Sequence, residues 1–325
     1  MAYAASMDTQ PAARAPSATT VAIALATVYV VWGSTYLAIR YALAGFPPYL
    51  LGGFRFVIAG SVMLVFLRGR GEALPTRPQW RNAAIMGLLL LGLGNGLVNF
   101  AEQSVSSGLA AVAVAAAPIW MSLFARLRGD HPSRLEWLGV AIGFVGVVWL
   151  NAGSSLRASP YGLVALLVAS LSWSFGSIWS RGRDLPSPFM TAAAQMLAAG
   201  IAMTLAGFAM GERVQHPSGV AIGAFFYLVV MGSLVGFTAY VWLLRHVRPA
   251  LAGSYAYVNP AIAVMLGALV AGEHFSAHDL LPMAVILAGV VAMTVGKGLA
   301  KAGGSARAQQ LRTAGAEPHQ QQAAD

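Results

Sequence analysis

The sequence predicts an all-α membrane protein with ten transmembrane helices, arranged as two inverted-topology five-helix repeats. Three observations lead to this prediction: an apolar composition, ten apolar segments with basic residues at alternate ends, and a long internal duplication. The chain of 325 residues is 58% hydrophobic and 10% charged, with a mean hydropathy of +0.67. Soluble domains are about half apolar and about one quarter charged, so this chain has too little polar surface for water, and lipid is its expected solvent.

Ten apolar segments are long enough to cross a bilayer, which takes about 20 mostly apolar residues. Three glycines in the fifth segment, Gly139, Gly143 and Gly146, predict that this helix packs closely against another one. The ten predicted spans are 21–43, 49–67, 82–101, 105–125, 135–152, 161–180, 188–209, 219–244, 249–271 and 278–296.

Basic residues are distributed unequally between the two sides of these spans. When the N-terminus is placed in the cytoplasm, 16 of the 20 lysines and arginines fall in cytoplasmic segments, three fall in outer segments, and Arg55 lies within the second span. A cytoplasmic excess of this kind orients membrane proteins. The pattern predicts a multi-pass protein of a bacterial-type inner (plasma) membrane with both termini in the cytoplasm. It also accounts for the net charge of +9 without a nucleic-acid partner.

The second half of the chain repeats the first. The stretch RGDHPSRLEWLGVAIGFVGVV returns 143 residues later as AGEHFSAHDLLPMAVILAGVV. Trp32 and Trp173 are 141 residues apart, and Pro118 and Pro260 are 142 residues apart. A near-constant offset over this length indicates that one helical unit occurs twice.

The duplication predicts a first five-helix repeat at 21–152 and a second at 161–296, joined by an outer linker at 153–160. The cytoplasmic tails at 1–20 and 297–325 have too few apolar residues to fold alone and are predicted to be disordered. Because five is odd, the second repeat crosses the membrane in the opposite sense from the first. Inverted repeats let a central site face either side in turn, which is the basis of alternating access in secondary transporters.

Five stretches carry a resemblance to a known family: VWGSTYLAIRYAL, FRFVIAG, SGLAAVAVAAAPIW, LEWLGVAIGFVGVVWLN and SYAYVNPAIAVMLGALVAGEHF. They resemble the EamA repeats of the drug/metabolite transporter superfamily, with the YedA-like inner-membrane exporters as the nearest group. The resemblance covers about residues 21–296. It implies ten helices, cytoplasmic termini, a central cavity shared by the repeats, and transport of small organic metabolites. The sequence departs from the family pattern at Gln195, which matches Arg55 of the first repeat, and at Asp130, where glutamate is usual.

The matched prolines Pro118 and Pro260 lie inside the fourth and ninth spans and predict helix breaks, because proline lacks an N–H and clashes with the preceding turn. Paired breaks in two halves indicate a transporter's binding site, although membrane helices also accept proline as a packing kink. Aromatic and polar side chains on nearby helix faces are the predicted substrate-binding residues, with interface anchoring and helix packing as the alternatives. They are Trp32, Tyr36, Asn95, Asn99, Trp120, Trp173, Ser177, Tyr240, Tyr255 and Asn259, with Tyr29 and Ser170 on the same faces.

Two charged residues are candidates for coupling or charge pairing. Arg55 lies within the second span, where a charge suggests a function, although an arginine there can also snorkel or bind carbonyl groups. Glu102 ends a polar stripe on the third span, and it is either a coupling or amine-binding group or a solvated loop residue. The matching positions of the eighth span are apolar, which predicts a binding site with unequal halves.

An intramembrane enzyme and a channel are the alternatives to a transporter. The sequence has no HExxH, GxSxG or Walker A motif and no cysteine, so neither an enzyme nor a cofactor or metal site is predicted. A channel would need polar residues along several spans, and only the third span has a long polar stripe. The predicted partners are a small-molecule substrate and membrane lipid, and the apolar surface is also compatible with a homodimer. The sequence therefore predicts a secondary, non-ATP transporter that exports a small amphipathic organic metabolite such as an amino acid or drug-like compound.

Overall fold

A computed structural model describes residues 16–101, 103–104, 114–151, 159–271, 280–293 and 295. Within these residues the regular structure is entirely helical. The helices are α1 (Ala18–Leu43), α2 (Pro48–Gly69), α3 (Arg77–Ala101), α4 (Ala117–Leu127), α5 (Arg134–Asn151), α6 (Pro160–Trp179), α7 (Pro188–Ala209), α8 (Gly219–His246), α9 (Pro249–Gly253), α10 (Tyr255–Ala271) and α11 (Leu280–Met293).

Each of the ten predicted spans overlaps at least one of these helices. In the described part of the chain, six helices are long and apolar enough to cross a membrane, namely α1, α2, α3, α6, α7 and α8. The described parts of the fourth, fifth, ninth and tenth segments are shorter helices. The apolar pattern therefore placed the helices correctly.

Two helices begin a few residues inside the segments assigned to the first tail and to the linker. Helix α1 begins at Ala18, inside the segment predicted to be disordered, because the Ser17 hydroxyl accepts the N–H of Thr20 at 3.1 Å and caps the helix. Pro160, which was assigned to the linker, is the first residue of α6, and Ser159 caps that helix. The remaining residues of both tails and of the linker lie outside the described residues.

Each repeat holds the start of the other repeat's second helix with a glutamate. The Glu212 carboxylate accepts the N–H groups of Tyr49 and Leu50, at the start of α2, at 3.2 and 2.8 Å. The Glu72 carboxylate accepts the hydroxyl of Ser187, the N-cap of α7, at 2.7 Å. A carboxylate is favourable at a helix N-terminus, where N–H groups lack partners and the helix dipole is positive. The reciprocal contacts follow the duplication in the sequence.

Glycines let three pairs of helices approach each other closely. A Cβ atom added to Gly53 of α2 would lie 2.8 Å from the backbone nitrogen of Thr204 in α7. A Cβ added to Gly139 of α5 would lie 2.6 Å from the carbonyl oxygen of Gly289 in α11, and one added to Gly143 would lie 2.5 Å from the Tyr257 ring. The close packing predicted for the glycines of the fifth span is therefore confirmed.

Replacing Gly139 with alanine is expected to destabilise the protein by about 1–3 kcal/mol, because the new methyl group meets backbone rather than a movable side chain. Gly223→Ala is the matched control, since its Cβ would have no neighbour within 4 Å. Thermal unfolding of the purified variants measures the difference. Equal melting temperatures for the two variants would contradict the close α5–α11 contact.

A short π-helical segment interrupts the third and eighth spans at equivalent positions. It covers Leu88–Asn95 in α3 and Leu228–Phe237 in α8. Such segments are rare and often lie at functional sites, because the wider turn displaces side chains and backbone groups from their α-helical positions. The sequence analysis did not anticipate them.

The helix breaks predicted at the two prolines differ between the repeats. Pro118 lies in the first turn of α4, directly after a turn at Ala116, which agrees with a break there. Pro260 lies inside α10, and the helix of the ninth span is interrupted at Ser254. The Ser254 hydroxyl donates to the carbonyl of Leu251 at 2.7 Å, a local bond that competes with the helical pattern.

Candidate functional site

A cavity lies between the two repeats, with about 810 Å³ of empty space including the part that opens to solvent. Helices α1, α2, α3, α4, α6, α8 and α10 line it. The structure brings seven of the predicted site residues to its wall: Trp32, Tyr36, Arg55, Asn95, Trp173, Tyr255 and Asn259.

Four aromatic rings pack together beside this cavity. Trp32, Trp173, Tyr240 and Tyr255 form this aromatic cluster, and they come from both repeats. The ring centre of Trp32 is 5.6 Å from that of Trp173, 5.1 Å from that of Tyr240 and 4.7 Å from that of Tyr255. The contacts with Trp173 and Tyr255 are edge-to-face, an arrangement that aromatic rings favour. Each of the four rings also contacts the other three, and the shortest separation is that of Trp32 from Tyr255.

Each tryptophan of the aromatic cluster packs against a π-helical segment of the other repeat. A Cβ added to Gly236 would lie 2.6 Å from the Trp32 indole nitrogen, and one added to Gly94 would lie 2.8 Å from the Trp173 ring. The Trp32 indole also donates to the carbonyl oxygen of Gly232 at 3.1 Å. The π-helical segments thus position the tryptophans as well as lining the cavity.

Two predicted site residues, Tyr240 and Ser177, position Trp173 within the aromatic cluster and do not line the cavity. Tyr240 is fully buried, and it does not line the cavity. Its hydroxyl accepts the indole N–H of Trp173 at 2.9 Å and forms a hydrogen bond with the Ser177 hydroxyl at 2.8 Å. Tyr240 and Ser177 therefore hold Trp173 in place.

The asparagine stripe of the third span divides between two roles. Asn95 lines the cavity, whereas Asn99 is buried outside it. The Asn99 amide donates, at distances of 3.4 to 3.5 Å, to the Asn95 side chain and to the carbonyl of Pro48 in α2. These contacts of Asn99 are typical of helix packing. Glu102 lies outside the described residues.

The remaining predicted residues lie near the cavity without lining it. Pro118 and Pro260 are absent from the cavity wall, but the residues that precede them, Ala117 and Asn259, belong to it. Trp120 does not line the cavity, and its indole nitrogen is buried with no hydrogen-bond partner among the described residues.

Side chains near the turn at Ser254 connect α1 with α10. The Tyr29 hydroxyl lies 2.6 Å from the Ser254 hydroxyl. The Asn259 amide, with its nitrogen turned toward them, donates to the carbonyls of Tyr29 and Tyr255 at 3.2 and 3.0 Å. These bonds join α1 to α10 beside Pro260, whose missing N–H leaves the carbonyl of Ala256 without its helical donor.

Arg55 is held at the cavity wall by a contact with the other repeat. Its side chain is buried, and its Nε donates to the Ser233 hydroxyl at 2.7 Å. The guanidinium occupies space that Gly232 leaves free, since a Cβ there would lie 2.7 Å from Nη2. Sequence reasoning singled out Arg55 but missed Ser233 and Gly232. The recurrence of Gly94 and Gly236 at the repeat spacing was a signal that could have pointed to the π-helical segments.

The end of the bundle where α2, α4, α6 and α8 finish is rich in arginine, and we call it the basic end. Contacts between the repeats join the helices there. The Glu136 carboxylate is 2% exposed and lies 2.5 Å from Nη1 of Arg248. It also accepts the N–H of Ser133 in a capping box at the start of α5. Arg128 donates to the carbonyl of Ile178 at 2.7 Å.

A third arginine of the basic end, Arg181, is half-buried beside the same contacts. Arg181 donates to the carbonyl of Val247. Burial lowers the pKa of the Arg181 guanidinium, and the nearby Asp130 carboxylate opposes that shift. Asp130 also lies 3.6 Å from Arg248. Asp130 and Glu136, which belong to the duplicated stretch, therefore contact an arginine of the second repeat at the basic end.

Comparison with known proteins identifies the family. A family model described as "EamA-like transporter family" matches the chain twice, over residues 19–152 and 160–295. The chain belongs to the EamA-like transporter family. The match confirms the resemblance to EamA repeats of the drug/metabolite transporter superfamily, and the six long apolar helices fit a membrane transporter of this kind.

Relatives of this EamA-like protein extend over most of its length. The uncharacterized inner membrane transporter YedA of Escherichia coli strain K12 is 45% identical over 276 residues, which cover 84% of this chain and 90% of that protein. The uncharacterized transporter YdfC of Bacillus subtilis strain 168 is 27% identical over 80% of this chain and 86% of its own length. One crystal structure shares the fold, with a TM-score of 0.72 and 21% identity, over 86% of this chain and 98% of that chain.

Proposed function

We propose that this EamA-like protein is a secondary transporter that exports a small amphipathic organic metabolite, such as an amino acid or drug-like compound, across the inner membrane. The observation that carries the proposal is the cavity between the repeats, which has a tryptophan from each repeat in its wall. Sites at a repeat interface are typical of transporters that work by alternating access. The inner-membrane location is supported by the name of the YedA relative.

The proposed topology has ten membrane crossings in two inverted repeats, 21–152 and 161–296, with both termini in the cytoplasm. The reciprocal contacts of Glu72 and Glu212 support it, because they relate the start of α2 to the start of α7. In this topology the basic end faces the cytoplasm, where the Arg248–Glu136 pair joins the two repeats. Transport then requires this pair to separate when the cavity opens inward.

Counterflow in proteoliposomes tests the transport proposal. Liposomes that contain the purified full-length protein are loaded with one unlabelled compound, and the same labelled compound is added outside. A transporter is expected to concentrate the label transiently, because loaded and empty sites exchange sides. Equilibration without such an overshoot would instead support the channel alternative. A panel of amino acids and amphipathic drug-like compounds identifies the substrate.

Cysteine labelling tests the proposed topology. The natural chain contains no cysteine, so a single introduced cysteine is labelled without background. Tyr161→Cys lies at the start of α6, where the native side chain is 83% exposed, and it is proposed to face outward. Gly69→Cys lies at the basic end in open space and is proposed to face the cytoplasm. An impermeant maleimide should label only Tyr161→Cys in intact cells, and labelling of Gly69→Cys instead would reverse the topology.

A further inference from the structure

We propose that the transported molecule carries a single carboxylate, which binds to Arg55 while its apolar part contacts the aromatic cluster. The inference rests on the proposed transport function and names the chemical class of the substrate. Four observations carry it. Arg55 is buried, its Nη groups have no hydrogen-bond partner among the described residues, the other described residues of the cavity wall are neither acidic nor basic, and the second repeat has Gln195 in place of Arg55.

Arg55 is a buried cation with no acidic partner among the described residues. Its side chain is 5% exposed, and the described ion pairs all lie at the basic end, around Arg248. Its only hydrogen bond within the described part of the chain is the one from Nε to Ser233. Its guanidinium carbon also lies 4.9 Å from the centre of the Phe56 ring, a contact that supplies no negative charge. A charge without a counter-charge inside a membrane protein is costly and indicates a functional site.

The contacts of Arg55 leave one edge of the guanidinium free. The Nε of Arg55 donates to Ser233, and the described residues provide no hydrogen-bond partner for Nη1 and Nη2. Arg55 also lines the cavity. Gly232 makes room for the Nη2 group. Two parallel N–H donors on one plane match the two oxygens of a carboxylate. The arginine is thus positioned for a carboxylate in the cavity.

The remainder of the wall limits the ligand to one negative charge and a mostly apolar body. Arg55 is the only acidic or basic residue that lines the cavity within the described part of the chain. Trp32, Trp173 and Tyr255 supply ring surface for the apolar part. The Ser170 hydroxyl also lines the cavity, is buried and has no described partner, so it is available for one further hydrogen bond. A ligand with a second negative charge would have no second cation to bind in the described part of the wall.

The two repeats are unequal at this position, which gives the ligand a single orientation. Gln195 matches Arg55 in the second repeat, but it is fully buried, does not line the cavity and donates to the sulfur of Met86. The matching partner of Ser233 in the first repeat is Leu91, which cannot accept a hydrogen bond. The carboxylate therefore binds on the Arg55 side of the cavity only.

Three small probes test this inference through their effect on the melting temperature of the full-length protein in detergent. They are 3-phenylpropanoate, 3-phenylpropanamide, which has the same body without the charge, and acetate, which has the charge without the body. We expect 3-phenylpropanoate to bind about tenfold or more tightly than the amide, because a hydrogen bond to a charged group is worth about 1.5–3 kcal/mol. Acetate is expected to bind more weakly than 3-phenylpropanoate, because it lacks contact with the aromatic cluster.

Variants of Arg55 separate a binding role from a structural one. Arg55→Gln should abolish the preference for the carboxylate without lowering the melting temperature of the free protein, because it removes a charge with no described acidic partner. Arg55→Lys should keep a reduced preference. Ser233→Ala retains the charge and should weaken 3-phenylpropanoate binding several-fold. It therefore provides the test if Arg55→Gln fails to fold.

The possible outcomes distinguish this inference from the transport proposal. Equal binding of 3-phenylpropanoate and its amide, or a preference that survives in Arg55→Gln, would overturn the carboxylate site, whereas counterflow of another compound would leave the transporter standing. Acetate binding as tight as that of 3-phenylpropanoate would overturn the role of the apolar body. No binding of any probe would overturn the inference as well. Selective binding of 3-phenylpropanoate without counterflow would instead contradict transport and leave the anion site.

Discussion

Trp32→Ala is expected to destabilise the protein by about 3 kcal/mol and to abolish substrate binding in the cavity. Trp32 contacts three other rings of the aromatic cluster and donates a hydrogen bond to the carbonyl of Gly232. Alanine would remove the ring contacts and leave that carbonyl without its donor. Because the rings come from both repeats, the loss also loosens the contact between them. Thermal unfolding measures the first effect, and counterflow measures the second.

Two further variants make the Trp32 result interpretable. Trp149→Ala removes the same side chain from a surface position, where it is 48% exposed, and should change neither stability nor counterflow by much. Trp32→Phe keeps a ring but loses the indole N–H, so its stability should fall between those of Trp32→Ala and the wild type. If Trp32→Ala retains both the wild-type melting temperature and counterflow, then the aromatic cluster is neither a structural centre nor a binding surface.

Arg248→Ala is expected to cost about 3 kcal/mol or more, because it leaves the buried Glu136 carboxylate without its cation. The pair joins the start of α9 in the second repeat to the start of α5 in the first, so its loss should also open the basic end. A cysteine placed in this region should then react faster with a maleimide in the variant than in the wild type. This second readout connects the ion pair to alternating access.

The double variant Arg248→Ala/Glu136→Gln provides the decisive comparison. Removing the charge of Glu136 together with Arg248 should recover much of the lost stability, because the principal cost is an unpaired buried charge rather than a lost attraction. Arg134→Ala, an exposed arginine on the same helix as Glu136, should change the melting temperature little. Equal losses in the single and double variants would show that the pair contributes through packing and not through charge.

Sequence reasoning predicted the site residues correctly where helical spacing alone places them on one face. Trp32 and Tyr36 share one face of α1, and both line the cavity. Asn95 also lines it, but Asn99, one turn further on, is turned toward the start of α2. Spacing along one helix shows which residues share a face. It does not show where that face meets a cavity and where it meets another helix.

Contacts between distant residues account for what sequence reasoning missed. The Arg55–Ser233 bond joins residues 178 positions apart, and the Trp32–Gly232 bond joins residues 200 positions apart. Neither Ser233 nor Gly232 belongs to a motif that marks such a role. The π-helical segments were missed for a related reason, because their hydrogen-bond pattern depends on the helices packed beside them.

By itself, the sequence determined that this protein is helical, apolar over ten segments, duplicated, and a member of a transporter family. It could do so because a bilayer imposes helices of a minimum length, and that requirement is visible in a linear pattern. Only the tertiary structure decided which residues meet at the cavity, where the helix of the ninth span is interrupted, and that the described residues leave Nη1 and Nη2 of Arg55 without a hydrogen-bond partner at the cavity wall. Those properties depend on atoms brought together from both repeats, and distance along the chain carries no information about them.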